Sequence, residues 1–299
     1  MPSVSSLEEA SAALAAAHSE RRRLRIGDDL TADGLDHILE HDPGDLTCTV
    51  EAGVRLSEVR ATLAAAGQRL SLDPPGDPTI GALLARNVSG PLRHRFGAPR
   101  DLVLGATLVL ADGTIASAGG KVVKNVAGYD LARLVCGSEG RLAFIARASF
   151  RLHPLPKASQ TVAVETDDAA AVAHALLRSQ LVPSALDVLH PGRVALLFEG
   201  SERAVAAQVA ATLALVGGAE EDTAVWDECC GRQAAARGRV RFVPADLAEV
   251  LAELPEAVIR PASGVAYTPN DTVSQGDPAA ERLVEAIRAQ LDPRGVLAA

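Results

Sequence analysis

Apolar and polar positions alternate between two periods along the chain, and the switches mark its elements. From Ser6, Ala and Leu recur at helical spacing, with Ser6 and Glu9 placed as in a capping box, which predicts a first helix. Arg23-Leu24-Arg25-Ile26 alternates and predicts a short strand ending at Gly27. Leu46 to Glu51 alternates again, and Leu56 to Ala66 returns to the helical period. Leu102 to Leu110, followed by Asp112-Gly113, reads as a strand entering a hairpin turn. Asp130, Leu131, Leu134 and Val135 predict a short helix that delivers the turn Gly137-Ser138-Glu139-Gly140, and Leu142 to Phe150 then predicts a buried strand. His153-Pro154-Leu155-Pro156 breaks the pattern and is the expected boundary. Beyond it, Thr161 to Glu165, Asp168 to Ser179, Ala185 to Leu189, Val194 to Phe198 and Glu202 to Val216 read as β, α, β, β and α. That order predicts a small sheet with helices on one face. Pro278 to Leu291 predicts a last helix folding back on the first domain. The expected class is therefore α+β, divided as 1–156, 157–275 and 276–299.

Composition narrows the function classes. A chain of 299 residues at 48% hydrophobic content supports two cores. A net charge of −9 argues against a nucleic-acid surface, since the run Arg21-Arg22-Arg23-Leu24-Arg25 reads as a solvated helix end. Cys48, Cys136, Cys229 and Cys230 form no metal-ligand ladder, and the adjacent pair is a poor disulfide, so the expectation is a reducing cytoplasm and no metal site. The histidines, His18, His37, His41, His94, His153, His174 and His190, are dispersed without ligand-like spacing. The N-terminus reads as a capped amphipathic helix rather than a signal peptide, and no apolar run reaches about 20 residues, so membrane association is expected only through a partner.

The glycines carry the chemistry. Without a Cβ, Gly119, Gly120, Gly128, Gly137 and Gly140 allow backbone N–H groups to approach a ligand closely. Pro74-Pro75-Gly76 and Pro78 stiffen a turn, and Thr79-Ile80-Gly81 leads into a helical turn whose free N–H groups suit a pyrophosphate. Asn87, Ser89 and Gly90 follow with an amide, a hydroxyl and bare backbone, groups that hydrogen-bond a polar ligand without adding charge.

Two blocks, KVVKNVAGYDLARLVCGSEG (121–140) and DPPGDPTIGALLARNVSGPLRHRFGAPRDLVLGATLVLADG (73–113), resemble flavoproteins of the vanillyl-alcohol oxidase and p-cresol methylhydroxylase type. Within that superfamily they look most like the FAD-binding subunits of bacterial glycolate oxidases, and the likeness returns at Leu291 to Leu297. The resemblance implies a two-subdomain FAD-binding domain plus a smaller, ferredoxin-like α+β cap. It implies non-covalent FAD held by Pro75, Gly76, Thr79, Ile80, Gly81, Asn87, Ser89, Gly90, Asp101, Gly137, Ser138, Gly140 and Ile145. It also implies a catalytic FAD subunit and an iron–sulfur subunit as partners, in oxidation of a 2-hydroxy acid such as glycolate.

The chain departs from that pattern at several positions. The first loop, Arg25 to Thr31, has one glycine and two carboxylates, Asp28 and Asp29, which repel a pyrophosphate unless Arg25 or another cation compensates. Ala82 and Ala143 replace expected glycines, and the loop holds no His or Cys for covalent flavin attachment. The His-rich, Gly-Asp-Gly-containing motif of the catalytic relatives is absent, so no residue is assigned as base. His94, between Arg93 and Arg95, is the histidine nearest the expected flavin loop, and that cationic pair suits an anionic flavin or a substrate carboxylate. Lys121 and Lys124 can stabilise reduced flavin, and Tyr129 reads as a packed aromatic. Two alternatives stay open: a self-sufficient flavin oxidoreductase, and a scaffold subunit that kept the fold and lost FAD.

Overall fold

Two-residue alternation builds two large sheets and a two-stranded ribbon, and side chains of the two halves of the chain meet across a seam. The computed structural model describes residues 3–120, 130–272 and 278–298; Lys121, Lys124, Gly128 and Tyr129 lie outside the described residues.

In the N-terminal half the strands are β1 (Ile38–Asp42), β2 (Thr47–Glu51), β3 (Gln68–Arg69), β4 (Val103–Val109), β5 (Ile115–Gly119), β6 (Phe144–Arg151) and β7 (His153–Pro154). Five pair antiparallel in the order β1-β2-β6-β4-β5, while β3 pairs with β7. One face of the larger sheet, with Val50, Leu108, Ala148 and Phe150, packs on α2 (Leu56–Ala64) and α3 (Ile80–Arg86). Val109, Phe144 and Ala146 pack instead with Leu14 of α1 (Leu7–Glu20). Three single-turn helices complete this half: α4 (Arg93–Phe96), α5 (Pro99–Leu102) and α6 (Leu131–Leu134).

Two local expectations are amended here. Ser6 does cap α1 through the Glu9 N–H, but the Glu9 carboxylate accepts from the backbone N–H and hydroxyl of Ser5, so the reciprocal half of the capping box is displaced by one residue. Arg23 to Ile26 is not a continuous strand. Leu24 makes one parallel bridge to Leu297 and Ile26 one to Leu30. The decisive partner of Leu24 comes from the far end of the chain, where Asp292 accepts the N–H groups of Val296 and Leu297 at 2.9 and 2.7 Å.

The second half contains β8 (Ala158–Glu165), β9 (Ala185–His190), β10 (Arg193–Gly200), β11 (Ala219–Glu221), β12 (Gly238–Arg241), β13 (Ala257–Arg260) and β14 (Val265–Thr268). They form one seven-stranded sheet in the order β11-β8-β10-β9-β13-β14-β12. Its helices are α7 (Ala169–Arg178), α8 (Glu202–Val216), α9 (Ala224–Ala235) and α10 (Leu247–Glu253), and α11 (Pro278–Leu291) follows. The sub-order β11-β8-β10-β9, interleaved with α7 and α8, is the ferredoxin-like arrangement; β12, β13 and β14 extend it. Leu186, Val188, Val194 and Leu196 face α7 and α8. The expectation of helices on a single face is corrected: α9 lies on the opposite face, packing Val225 and Cys229 against Leu189, Ala195 and Val258. Its buried stripe, Val225, Cys229 and Gln233 at four-residue spacing, ends on a polar side chain.

That second face is turned toward the N-terminal half. Arg69 of β3 clasps Glu199 of β10 through two bonds of 2.6 and 2.7 Å, with both side chains largely buried. The Arg69 guanidinium also lies 5.2 Å from the Phe96 ring, which in turn contacts the His153 ring. Although burial alone would raise it, Glu199 is held below the usual carboxylate range by Arg69. Removing one member strands a buried charge. Arg69→Leu is therefore expected to lower stability by about 3 kcal/mol in denaturant titration, with much of it recovered in Arg69→Leu/Glu199→Leu. Equal losses in the single and double variants would show that the bridge contributes little.

Candidate flavin and anion site

The glycine-rich segments predicted from sequence are brought together at the C-terminal end of α3. That helix closes on Asn87 in the left-handed conformation, φ 49°. Its last carbonyls are used by the next turn: Gly137 N–H donates to Leu84 O at 3.0 Å and Glu139 N–H to Ala85 O at 2.8 Å. Gly140 has φ 77°, and a Cβ there would sit 2.8 Å from Cβ of Ile26. The Arg25-to-Leu30 turn is thus pressed against the Gly137–Gly140 turn. Ser138 is buried at this junction, and its hydroxyl has no partner among the described residues.

Other predicted residues have structural employment. Ile80 and Gly81 give their N–H groups to the carbonyls of Val54 and Ala52, at 2.9 and 2.7 Å, and Thr79 Oγ1 takes the Ala82 N–H. The expectation of free donors at the start of α3 is corrected, because neighbouring loops and the helix's own cap already satisfy them. Gly81 permits this close approach, since a Cβ would meet Ala52 at 3.1 Å. Asp101 accepts the Ala98 N–H, Asn87 accepts the Arg100 N–H, and Ile145 packs in the first core. Pro75 is half-buried and Gly76 exposed, in a turn where Gly76 takes φ 72°.

The carboxylates of the first loop are tied into their own turn. Asp29 accepts the Arg25 N–H at 2.8 Å, and Asp28 pairs with the Arg25 guanidinium at 3.3 Å. Arg25 thereby supplies the compensation that the sequence demanded, and the repulsion expected from two bare carboxylates is reduced.

Ser89 and Gly90 lie where the second sheet meets the first half. Ser89 is buried; its hydroxyl accepts from Arg93, and its carbonyl accepts from Gln233 at 2.9 Å and Arg260 at 3.3 Å. A Cβ on Gly90 would fall 1.7 Å from the Asp73 carbonyl oxygen, so only glycine fits. The Asp73 carboxylate accepts the Leu92 N–H, and burial pushes it up to about 7, opposed by that hydrogen bond and by Arg260.

Sheet register assembles the rest. Arg239 pairs with Tyr267, and Tyr267 with Val258, so alternation places Arg239, Tyr267 and Arg260 on the face turned to Ser89. The guanidinium carbons of Arg260 and Arg239 lie 5.1 and 5.9 Å from the Tyr267 ring centre. Arg260 is paired: Asp187 lies 3.5 Å from its Nε, and Gln233 accepts from its Nη2 at 2.6 Å. Arg239 has no carboxylate partner among the described residues, and its buried Nε is unpartnered. Arg93 is pushed below its usual basicity, first by burial and then by Arg239 and Arg260, partly offset by Tyr267. Three guanidiniums thus converge beside two carboxylates, Asp187 and Asp73, which both act on Arg260, while neither Arg93 nor Arg239 makes an ion pair among the described residues.

Sequence reasoning missed Arg239, Arg260, Asp187, Gln233 and Tyr267. The visible signal was a charge embedded in an apolar strand, Arg260 after Ala257-Val258-Ile259 and Asp187 inside Ala185 to Leu189, because such a charge must find a partner. His94 is brought no carboxylate; burial pushes its imidazole down, toward the neutral form. The four thiols are free, and burial raises Cys48, Cys136 and Cys230 to about 12, so none is a thiolate near neutrality. The pairing of β1 with β2 gathers Asp36, His37 and Glu51 within 4.8 Å, a grouping that linear spacing does not reveal; Glu51 is already shared with His37 and Arg147.

Residues 28–119 match the family model described as an FAD binding domain. The chain carries an FAD binding domain. Its curated relatives include glycolate oxidase subunit GlcE of Escherichia coli, 40% identical over 41% of this chain and 36% of that protein. Glycolate oxidase subunit GlcD of Bacillus subtilis is 36% identical over 52% of the chain and 34% of its own length. The mitochondrial D-lactate dehydrogenase (cytochrome) 1 of Saccharomyces cerevisiae is 33% identical over 58% of the chain and 30% of its length. The chain thus spans about a third of the length of these relatives. In fold it is similar to alkyldihydroxyacetonephosphate synthase, with a TM-score of 0.75 at 14% identity, covering 99% of this chain and 75% of that one. A Phl p 4 variant described as a glucose dehydrogenase gives 0.59 at 13% identity over 73% and 51%.

The matched domain is one that binds FAD. The residues present fit it: the orphaned Ser138 hydroxyl sits in the junction of three backbone turns, and the Asp28 charge in the first loop is paired. Among the described residues no helix is long and apolar enough to cross a membrane.

Proposed function

We propose that the chain is the FAD-binding subunit of a glycolate oxidase-like complex that oxidises a 2-hydroxy acid to the 2-oxo acid. The observation that carries this reading is the uncompensated positive charge of Arg93 and Arg239 around Tyr267, beside the Ser89–Gly90 loop. In a chain of net charge −9, two half-buried guanidiniums without a carboxylate between them call for an anion, and a substrate carboxylate satisfies both. When bound, FAD supplies the acceptor for the hydride equivalent. The chain's own part is to hold the carboxylate on Arg93 and Arg239, to orient the loop at Ser89–Gly90, and to keep water out with the second sheet. Of the residues implied by resemblance, Asn87, Ser89, Gly90, Gly137, Ser138 and Gly140 are assigned to the cofactor, while Thr79, Ile80, Gly81 and Asp101 support it as scaffold.

The relatives named as glycolate oxidase subunits support assembly with further subunits, here a second flavin-bearing subunit and an iron–sulfur subunit. The test is the visible spectrum of the purified chain with FAD, followed anaerobically with glycolate and D-lactate, alone and with candidate partner subunits. Retained flavin that bleaches with a 2-hydroxy acid is the expected result. Retained flavin that bleaches only with neutral alcohols would remove the acid reading, and a colourless chain would favour a scaffold.

A further inference from the structure

The strongest unexplained feature is a buried polar cluster at the seam between the two sheets. Asp187 and Arg260 are wholly buried, 0 and 1% exposed, and Gln233 is 8% exposed. They come from β9, β13 and α9, all in the second half of the chain, yet the acceptor shared by Gln233 and Arg260 is the backbone carbonyl of Ser89 in the first half. Burying a full ion pair in this way is costly and seldom improves stability over an apolar pair of like volume. Arg260 donates from Nη1 to Ser89 O and from Nη2 to Gln233 Oε1, while its Nε faces Asp187 at 3.5 Å as an ion pair without a hydrogen bond. Gln233 Nε2 then returns to the same Ser89 carbonyl, closing the ring of contacts.

A peptide group is planar and trans, so fixing the Ser89 carbonyl also fixes the Gly90 N–H on the opposite side. Gly90 packs close against the Asp73 backbone, where a Cβ would fall 1.7 Å from the carbonyl oxygen. We propose that Arg260, oriented by Asp187 and Gln233, is a positioning residue that sets the Ser89–Gly90 peptide against the flavin, making FAD binding depend on the cap sheet. The inference rests on the assignment of Ser89–Gly90 to the flavin but not on the nature of the substrate.

The test uses the full chain and FAD itself. In Asp187→Leu/Arg260→Met both charges of the pair go together, so neither is stranded, Asp73 keeps the Leu92 N–H, and the fold is retained. Expected are an unchanged thermal transition within a few degrees, FAD affinity weaker by about tenfold or more, and a displaced visible flavin band and circular dichroism. Gln233→Met removes one of the two donors and should fall between wild type and the double variant. Arg260→Lys keeps the charge beside Asp187 without the fork, and should also loosen FAD and alter the band. If the double variant does not fold, the latter two decide. FAD affinity and flavin spectra unchanged in the folded variants would overturn the proposal, as would a wild-type chain that takes up no FAD. Flavin bound normally but unreactive toward 2-hydroxy acids would instead count against the proposed function alone.

Discussion

Gly90→Ala is expected to lose FAD and to destabilise the chain by about 3 kcal/mol, the upper end of ordinary overpacking costs. The reason is contact with backbone rather than with a flexible side chain. A methyl at Gly90 would lie 1.7 Å from the Asp73 carbonyl oxygen and 2.5 Å from both its carbonyl carbon and Oδ1. The loop or the segment at Asp73 must move, and Ser89 O, held by Gln233 and Arg260, moves with it. The affinity for FAD should then fall by about tenfold or more for each hydrogen bond lost. Gly231→Ala is the matched control: it lies in α9 with open space where a Cβ would be added, and should be neutral or slightly stabilising. Isothermal titration with FAD and denaturant melts read both quantities. Tight FAD binding by Gly90→Ala would mean that this loop does not contact the cofactor.

Arg239→Met is expected to raise KM for a 2-hydroxy acid roughly 10–100-fold, the loss of a charged hydrogen bond worth about 1.5–3 kcal/mol. Folding stability should hold or rise slightly, because the substitution removes a guanidinium that has no carboxylate partner among the described residues and that repels Arg93. Opposite signs for function and stability distinguish a ligand residue from a structural one. Arg93→Met should act in the same direction on KM, with a small stability loss because its bond to Ser89 Oγ at 3.2 Å goes too. Steady-state kinetics on the assembled enzyme and thermal melts on the chain check the pair. An unchanged KM in both variants would place the carboxylate elsewhere.

Local chemistry determined much of the fold. Pro278–Leu291 was legible as a helix to the residue, and β8, α7, β9, β10 and α8 were legible within a few residues, because period and punctuation act over short spans. The α+β class and the FAD domain were equally readable, since turns such as Gly137 to Gly140 demand particular residues at particular places. What escaped were contacts between distant segments. Leu24 finds its bridge at Leu297, α9 packs on the face where no helix was expected, and the N–H groups of Ile80 and Gly81 are consumed by Val54 and Ala52. The anion site belongs to this second kind. Arg93 was visible beside the flavin loop, but Arg239 and Tyr267 join it only through the register of β12 on β14, and Arg260 reaches Ser89 from 171 residues away. Sequence by itself determined which backbone segments make helices, strands and close turns, because those choices are settled by neighbours along the chain. Only the tertiary structure decided which charges share a seam, because pairing across two sheets depends on register and on which face of each strand is buried.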